Sequence, residues 1–285
     1  MRAILVLSLT MIFFGSELFA GGHSSTLQDV KARGKLRCVV TTGLPGFAAP
    51  DANGVWRGFD WDFCRATAAA VLGDANAVDP ITSTGKTRFT KLNAGEGDVL
   101  WRNTTITFSR DVSVKLRFLG VNYYDGQGFM VNKSLGVSSA KELDGASVCI
   151  QTGTTTELNL ADYFASNNMS YEAVTIETND EARQNYEAGR CDIYTTDASG
   201  LASTRSSLPN PNDHMVLPEI ISKEPLGPAV RQGDDAWADI ITWVLAATIT
   251  AEELGVNSSN VDQMKNSNNP EIRRMLGTDG SQGAE

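Results

Sequence analysis

The sequence has few histidines and few basic residues, and each shortage argues against a class of function. Its two histidines, His23 and His214, are far apart, and no two cysteines have the C-x-x-C spacing of common zinc sites. We therefore expect no metal and no other cofactor. Lys and Arg number 24 against 34 Asp and Glu, a net charge of -10. Nucleic acids and anionic membranes bind basic surfaces, so this balance argues against both partners.

Long apolar runs are also scarce. Arg2 gives the chain a positive start, an apolar run covers residues 3–14, and two glycines follow Ala20. These features predict a secretory signal peptide over residues 1–20, because the run is too short for a membrane span. No other segment is apolar enough to cross a bilayer, so we expect a soluble exported protein. An even number of cysteines in an exported chain favours disulfides, and the four present allow three pairings.

The segment from Asp98 to Arg110 is the most informative part of the chain. An acidic residue opens an apolar run, the run ends in hydroxyl and amide side chains, and an arginine follows. This order is typical of a strand that ends at the binding crevice of an open α/β sheet. Arg110 would hold a carboxylate there through two hydrogen bonds, although a solvated loop arginine has the same local pattern.

A second segment repeats this pattern. Residues 94–98 and 188–192 share Ala-Gly, two variable residues and Asp before a strand, and the glycine suits the end of a preceding helix. Polar residues 195–197 follow the second segment, as polar residues 103–105 follow the first. The repeat predicts two lobes with facing polar clusters. Arg110 in one lobe and Asp197 in the other would clamp a zwitterion, which suggests an amino acid.

Alternating strand and helix patterns along the chain predict an α/β fold with mostly parallel sheets. The predicted helices are residues 63–72, 87–93, 158–167, 180–187 and 235–250. The last of them has an apolar stripe that we expect to face the core: Trp237, Ile240, Ile241, Val244 and Leu245.

The chain resembles the periplasmic solute-binding proteins of polar amino acid ABC importers, and within them the general L-amino acid-binding branch. The resemblance covers about residues 27–277 and is carried by GFDWDFCR (58–65), RNTT (102–105), VNYYDGQGFM (121–130), QTGTTTE (151–157), EAGRCD (187–192), LPEIISKEPLGP (217–228) and NPEIRR (269–274). It implies a two-lobed, type II periplasmic-binding-protein clamshell with two crossing strands. Such a protein is a monomer that closes over one amino acid and docks on ABC permease subunits.

The resemblance also implies a division of the chain. Residues 27–125 and 220–277 would form lobe 1, residues 126–219 lobe 2, and residues 278–285 a disordered tail. A disulfide between lobes would hold the clamshell shut, so we expect Cys38–Cys64 and Cys149–Cys191, each within one lobe. The family continues with further helices after residue 274. Either those helices are dispensable, or this is a truncated copy with an exposed apolar face.

The resemblance implies ligand-binding residues position by position. Arg110 matches the arginine that holds the ligand α-carboxylate, and Asp197 matches the aspartate that binds the α-ammonium. Asn103 and Thr105 match polar residues beside the carboxylate. Thr155 matches a second-lobe threonine that contacts the carboxylate through its hydroxyl or backbone N–H. The sequence around both threonines fits equally well if they only cap a loop or a helix and do not contact the ligand.

Three residues bear on the ligand side chain. Phe47 falls in the loop that supplies the family's aromatic wall, or is an ordinary core residue. Arg102 would favour glutamate or aspartate through a second carboxylate, or is a solvated rim residue. Trp101 stands where the branch has a small residue, and we expect it to narrow or reorient the side-chain pocket.

Three functions fit such a scaffold. The first is a non-catalytic receptor in which ligand binding closes the lobes. The second is a periplasmic dehydratase-type enzyme, which would need an acid or base in the cleft. Glu157 is the only obvious candidate, and it suits the start of a helix better. The third is a sensory module that presents an amino acid to a membrane receptor.

Overall fold

The computed structural model of the chain describes residues 25–280. The predicted signal peptide lies outside this range, as do residues 281–285 of the predicted tail. Within the range, no helix combines the length and the apolar character that a membrane span requires.

Strands and helices alternate along the chain. The strands are Leu36–Thr41 (β1), Ala49–Pro50 (β2), Trp56–Arg57 (β3), Val78–Ser83 (β4), Val99–Leu100 (β5), Leu116–Phe118 (β6), Tyr123–Asp125 (β7), Gln127–Asn132 (β8), Ala146–Gln151 (β9), Tyr171–Ile176 (β10), Ile193–Asp197 (β11), His214–Val216 (β12), Glu224–Leu226 (β13) and Ala229–Arg231 (β14). The α-helices are Thr26–Arg33 (α1), Phe59–Leu72 (α2), Arg88–Asn93 (α3), Phe108–Val112 (α4), Thr155–Ser166 (α5), Asn179–Glu187 (α6), Ala198–Ser206 (α7), Asp235–Glu253 (α8), Val261–Met264 (α9) and Pro270–Met275 (α10).

These elements form two lobes, each built around a five-stranded mixed sheet. The strand order is β4-β1-β5-β14-β6 in one sheet and β10-β9-β11-β8-β12 in the other. In both sheets the first three strands are parallel, and the fourth is antiparallel to its two neighbours. The chain crosses between the lobes twice, and β7 pairs with β13 where the crossing segments meet.

Two aspartates fix equivalent strands in the two sheets. The Asp98 carboxylate, just before β5, accepts the backbone N–H of Arg37 on β1 at 2.7 Å. The Asp192 carboxylate, just before β11, accepts the backbone N–H of Ser147 on β9 at 3.0 Å. Each aspartate therefore gives an acceptor to an N–H near the start of the neighbouring strand. The repeated Ala-Gly-x-x-Asp segments occupy the same position in the two lobes.

The core of the first lobe includes Trp101, against our expectation. Val99 and Trp101 face one apolar cluster, while Leu100, between them, faces another, as strand alternation requires. The Trp101 ring stacks on Phe63 with 4.4 Å between ring centroids, and its Nε1–H donates to Thr67. The prediction that Trp101 narrows the ligand pocket is wrong, because its side chain points into the core.

The predicted stripe of α8 is confirmed. Four of its residues are buried in the first-lobe core, and Ile240 packs against that core. The same helix leaves Trp243 72% exposed. At the end of the described range, Thr278 donates its backbone N–H to Arg273, and Asp279 pairs with the Arg273 side chain. The first residues of the predicted tail are therefore bonded to α10.

Several element boundaries differ from the prediction. Helix α2 begins at Phe59 and α5 at Thr155, each a turn or less earlier than the apolar pattern indicates. In α5 the Thr154 hydroxyl accepts the N–H of Glu157, and the Glu157 carboxylate accepts the N–H of Gly153. This reciprocal cap extends the helix start beyond its apolar residues. The helix prediction also missed α1, α4, α7, α9 and α10.

Both disulfides join the predicted cysteines. Cys38 on β1 is bonded to Cys64 on α2, with 6.0 Å between their Cα atoms. Cys149 on β9 is bonded to Cys191, just before β11, with 5.5 Å between their Cα atoms. Each bond lies within one lobe, so neither restricts movement of the lobes relative to each other.

Candidate functional site

The two lobes touch across a cleft, so the structure shows a closed arrangement. The Asn179 side chain, at the start of α6, donates to the Thr41 hydroxyl at 3.1 Å and to the Gly43 carbonyl at 3.2 Å. The Ser203 hydroxyl on α7 donates to the Pro45 carbonyl at 2.6 Å. These contacts connect the carboxyl-end loops of the first sheet to helices of the second. A ligand held between the sheets would be enclosed.

The first-lobe side of the cleft is built at the end of β5. The backbone N–H of Asn103 donates to the buried carboxylate of Asp60 at 2.8 Å. Burial raises the pKa of Asp60 to about 6, and the Asn103 N–H and the Arg102 charge oppose that rise. Arg102 is itself buried, and burial lowers its pKa to about 10, with Asp60 opposing the change. Arg102 is therefore not the solvated rim residue that the sequence left open.

Arg110 lies on the short helix α4 rather than in a loop. Its guanidinium Nη1 donates to the Thr105 carbonyl at 2.7 Å, and the group lies over the Phe89 ring. Burial lowers the pKa of Arg110 to about 10, and the nearby carboxylates of Glu224 and Asp197 oppose that change. The charged side chain is thus fixed at the cleft with donors remaining on its other nitrogens.

Asp197 occupies the second-lobe side, where β11 ends and α7 begins. It is 6% exposed. Burial raises its pKa to about 8, and Asp125 and Glu224 raise it further, against the opposing effect of Arg88 and Arg102. Arginines of the first lobe therefore act on Asp197 across the cleft. A cation that approached Asp197 would stabilise its charged form.

Glu224, on the crossing strand β13, is a cleft residue that the sequence reasoning missed. One carboxylate oxygen accepts the Thr105 hydroxyl at 2.5 Å and the Thr155 hydroxyl at 2.9 Å. The other accepts Asn159 at 2.7 Å and Ser222 at 2.6 Å. Its donors come from both lobes and from the crossing segment. Glu224 lies in the KEPLGP part of a motif that carries the family resemblance, but the sequence alone assigned it no function.

Arg88 is the second residue that was missed. It is 3% exposed, its Nη1 donates to the Thr104 hydroxyl at 3.2 Å, and its guanidinium lies over the Phe89 ring. Burial lowers its pKa, and the positive charges of Arg102 and Arg110 lower it further. Its position in the helix after the β4 loop gave no separate sequence signal.

Phe47 lies in an aromatic cluster beside the cleft. Its ring makes edge contacts with Phe59 at 6.2 Å and Tyr123 at 5.8 Å between centroids, and it packs with Leu226 of β13. The loop that carries it also holds Pro45, which contacts the second lobe. The predicted ligand residues Arg102, Asn103, Thr105, Arg110, Thr155 and Asp197 all come together at the cleft, with Phe47 beside it.

The chemistry of the cleft suits binding. Arg110 and Asp197 interact electrostatically from opposite lobes, and the hydroxyls of Thr105 and of Thr155, the first residue of α5, lie 3.3 Å apart across the same cleft. Glu157 is committed to the cap of α5. Across residues 25–280, no group of three or more His, Cys, Asp or Glu side chains is arranged to hold a metal ion.

The sequence is similar to those of known binding proteins. Residues 36–257 match the bacterial extracellular solute-binding proteins, family 3. The chain is 61% identical over 277 residues to a glutamate/glutamine/aspartate/asparagine-binding protein of Rhodobacter capsulatus, covering 95% of this chain and 82% of that protein. It is 58% identical over 269 residues to a general L-amino acid-binding periplasmic protein of Rhizobium johnstonii, covering 93% and 79%.

A solved structure shares the fold as well. An ABC transporter/periplasmic binding protein from Brucella ovis, with glutathione bound, is 55% identical and has a TM-score of 0.87. The match covers 91% of this chain and 82% of that one. The predicted resemblance and the predicted two-lobed type II periplasmic-binding-protein fold are both confirmed.

Proposed function

The chain belongs to the bacterial extracellular solute-binding proteins, family 3, and from that membership we propose that it is a periplasmic receptor for L-amino acids. The receptor closes over its ligand and delivers it to an ABC permease. Two relatives that cover most of the chain are named as amino acid-binding proteins. The same names favour a receptor over the dehydratase-type enzyme, and Glu157, the candidate acid or base, has a capping role instead.

The observation that carries this function is a buried arginine and a buried aspartic acid side chain on facing lobes. Arg110 is 6% exposed and so is Asp197. Leaving a buried charge without a partner costs several kcal/mol. A zwitterion can pair with both side chains, its carboxylate with Arg110 and its ammonium with the Asp197 carboxylate.

The other predicted residues complete the head-group site. Asn103 and Thr105 lie beside Arg110, and Thr155 begins α5, whose first N–H groups have no partners within the helix. The hydroxyls of both threonines donate to Glu224. In this proposal Thr155 therefore contacts the ligand carboxylate through its backbone N–H, and Phe47 supplies an aromatic wall beside the ligand.

The remaining features of the receptor follow the family. Residues 27–125 and 220–277 act as one lobe and residues 126–219 as the other. The signal peptide over residues 1–20 directs export to the periplasm. The protein acts as a monomer whose closed form is recognised by the permease subunits, which makes transport a ligand-driven shift of population.

Glutathione is a second candidate ligand. The solved relative from Brucella ovis has it bound, and its γ-glutamyl end carries the same α-amino acid head group. The longer ligand would need the same Arg110 and Asp197 contacts, so both candidates can be tested in one panel.

The test is calorimetric titration of the protein without residues 1–20 against a panel of L-amino acids and glutathione. We expect micromolar or tighter binding of at least one ligand. The substitutions Arg110→Ala and Asp197→Asn should each weaken it by about 30-fold or more, since removing one partner of a buried charge pair costs about 2–5 kcal/mol.

The matched control is Arg117→Ala, which removes an exposed arginine of the same lobe that pairs with Asp235. It should leave the affinity unchanged. A folded protein that binds nothing in the panel, or an Arg110→Ala variant that binds as well as the control, contradicts the proposal.

A further inference from the structure

Helix α5 of the second lobe is held against the first lobe at its first residues. Glu224 accepts the Thr155 hydroxyl at 2.9 Å and the Asn159 amide at 2.7 Å, and both donors belong to α5. The same carboxylate accepts the Thr105 hydroxyl, which lies 3.3 Å from the Thr155 hydroxyl. These bonds join the first turns of α5 to the segment that follows β5.

Glu224 moves with the first lobe, although it lies on a crossing strand. The carbonyl of Pro225, its neighbour on β13, accepts the backbone N–H of Ile106 at 2.8 Å. Gly227, just after β13, donates its backbone N–H to the Thr104 carbonyl at 3.0 Å. Strand β13 is therefore fixed to the segment after β5. The bonds from α5 to Glu224 are contacts between the lobes, and they break when the lobes separate.

A second contact holds the loop that precedes α5. Gly85, between β4 and α3 of the first lobe, lies against residues 152–154 of the second. A Cβ atom added at Gly85 would lie 2.8 Å from the Thr154 methyl carbon and 3.1 Å from the Thr152 carbonyl oxygen. The φ angle of Gly85 is not positive, so its own backbone does not require glycine. The missing side chain instead leaves room for the other lobe.

Thr154 could move away from a side chain at position 85 only by giving up its own bonds. Its hydroxyl donates to the Gln151 carbonyl at 2.7 Å and accepts the backbone N–H of Glu157 as the cap of α5. Rotation of the side chain would break this cap, which stabilises the start of the helix. A methyl group at position 85 would therefore keep the two loops, and with them the lobes, apart.

We propose that Glu224 and Gly85 are positioning residues that set the affinity of the receptor without contacting the ligand. Glu224 holds α5 through Thr155 and Asn159, and Gly85 leaves the space that the loop before α5 occupies. The inference rests on the proposed function, in which the start of α5 binds the ligand carboxylate together with Arg110. Contacts that bring both sets of donors to one place before the ligand arrives raise its affinity.

The first test titrates Asn159→Ala and Gly85→Ala by calorimetry with the panel of L-amino acids and glutathione. Each variant should bind about tenfold more weakly, or weaker still, than the wild-type protein. This is the effect of losing a hydrogen bond to a charged group, or of crowding a close contact. The factor should agree within about threefold for every ligand that binds, because the lost contacts lie between the lobes. A loss confined to some ligands overturns the positioning role.

Each variant has a matched control. Asn185→Ala makes the same change on α6 of the second lobe, where the Asn185 side chain bonds to its own helix and to the turn after it. Gly128→Ala adds a methyl group on β8, where the nearest side-chain atoms are at ordinary contact distances of 3.4 to 3.7 Å. Both controls should bind the panel with unchanged affinity.

The rates of binding show whether the lost contacts belong to the closed form. In stopped-flow fluorescence, Asn159→Ala and Gly85→Ala should release the ligand about tenfold faster and associate with it at an unchanged rate, since contacts that form on closure oppose release. Slower association with unchanged release overturns the inference. If Gly85→Ala does not fold, Gly85 serves its own lobe and loses its assigned role, and Asn159→Ala still decides the role of Glu224.

The proposed function and this inference fail in different ways. A wild-type protein that binds no ligand of the panel overturns the proposed function. A wild-type protein that binds, with both variants within about twofold of it, keeps the receptor and overturns only the positioning role. Loss of affinity in one variant alone overturns the role of the other residue.

Discussion

The two lobes have the same sheet topology but opposite chemistry at the cleft. Strand β5 of the first sheet and β11 of the second occupy equivalent places, each parallel to one neighbour and antiparallel to the next. After β5 the chain presents Arg102 and then Arg110, and at the end of β11 it presents Asp197. One scaffold used twice thus supplies one cleft wall with two arginines and one with an aspartic acid side chain. The residues at the strand ends, and not the topology, give each lobe its part in binding.

The lobes also differ at the opposite end of these strands. Asp98 is buried and pairs with Arg33 and Arg37 besides accepting a backbone N–H. Asp192 is exposed, and its bonds in the structure are with Ser147. The same motif is therefore part of a buried ion-pair network in one lobe and a surface hydrogen bond in the other.

The largest effect is expected at Glu224, whose hydrogen-bond donors come from both lobes. Glu224→Ala removes one acceptor from Thr105, Thr155, Asn159 and Ser222 at once. We expect the free energy of unfolding to fall by about 3–4 kcal/mol, because buried donors to a charged group lose their partner. Urea unfolding measures this, with Glu172→Ala, exposed on β10, as the control. A loss below about 1 kcal/mol would mean that the lobes do not depend on the shared carboxylate.

The next test compares the two aspartates directly. Asp98→Ala should lower the free energy of unfolding by about 2–3 kcal/mol, since it leaves two arginines and a backbone N–H without their buried acceptor. Asp192→Ala should cost about 1 kcal/mol, the value of a hydrogen bond near the surface. Both variants are compared with wild type by urea unfolding. Equal losses would show that burial of Asp98 adds nothing to its role in the strand.

The smallest effect is a difference between the walls in their response to pH. Burial, with Asp125 and Glu224, raises the pKa of Asp197 to about 8, whereas the lowered pKa of Arg110 is still about 10. Near neutral pH, before ligand binds, Asp197 is therefore protonated and Arg110 is charged. In the proposed function, the ligand ammonium binds the charged form of the Asp197 carboxyl group. We expect affinity to rise by about tenfold per pH unit below pH 8 and to level off above it.

Calorimetry in two buffers of different ionisation enthalpy checks this prediction, since about one proton should be released per ligand bound. Without ligand, the free energy of unfolding should fall as the pH rises, which is opposite to the change in affinity. Because the pKa of Asp197 is raised in the folded protein, its contribution to the free energy of unfolding is fully present below its ordinary pKa of 3.8. That contribution is lost as the pH rises through about 8. Affinity that stays flat from about pH 6 to 8 would contradict the assignment of the ammonium to an Asp197 that is protonated before the ligand binds.

Local sequence signals predicted two lobes with facing polar clusters, and the family resemblance added the clamshell fold and the roles of most residues at the cleft. The repeated Ala-Gly-x-x-Asp segments mark equivalent strands, since a glycine that ends a helix and an aspartate that begins a strand act within a few residues. Counting forward from them leads to Asn103, Thr105 and Asp197. The disulfide pairs followed because a bond between lobes would prevent closure.

Other features of the site depended on contacts between distant parts of the chain. Trp101 and Arg102 are neighbours in sequence, yet one packs on Phe63 in the core and the other lies at the cleft, because successive side chains of an extended segment point to opposite sides. Arg88 joins the cleft residues only because α3 places it against Thr104. Glu224 reaches Thr105 and Thr155 only where the crossing strand meets the closed lobes. The sequence by itself determined which residues end each strand, whereas the tertiary structure decided which side chains share the cleft, since burial and charge there depend on how the two lobes meet.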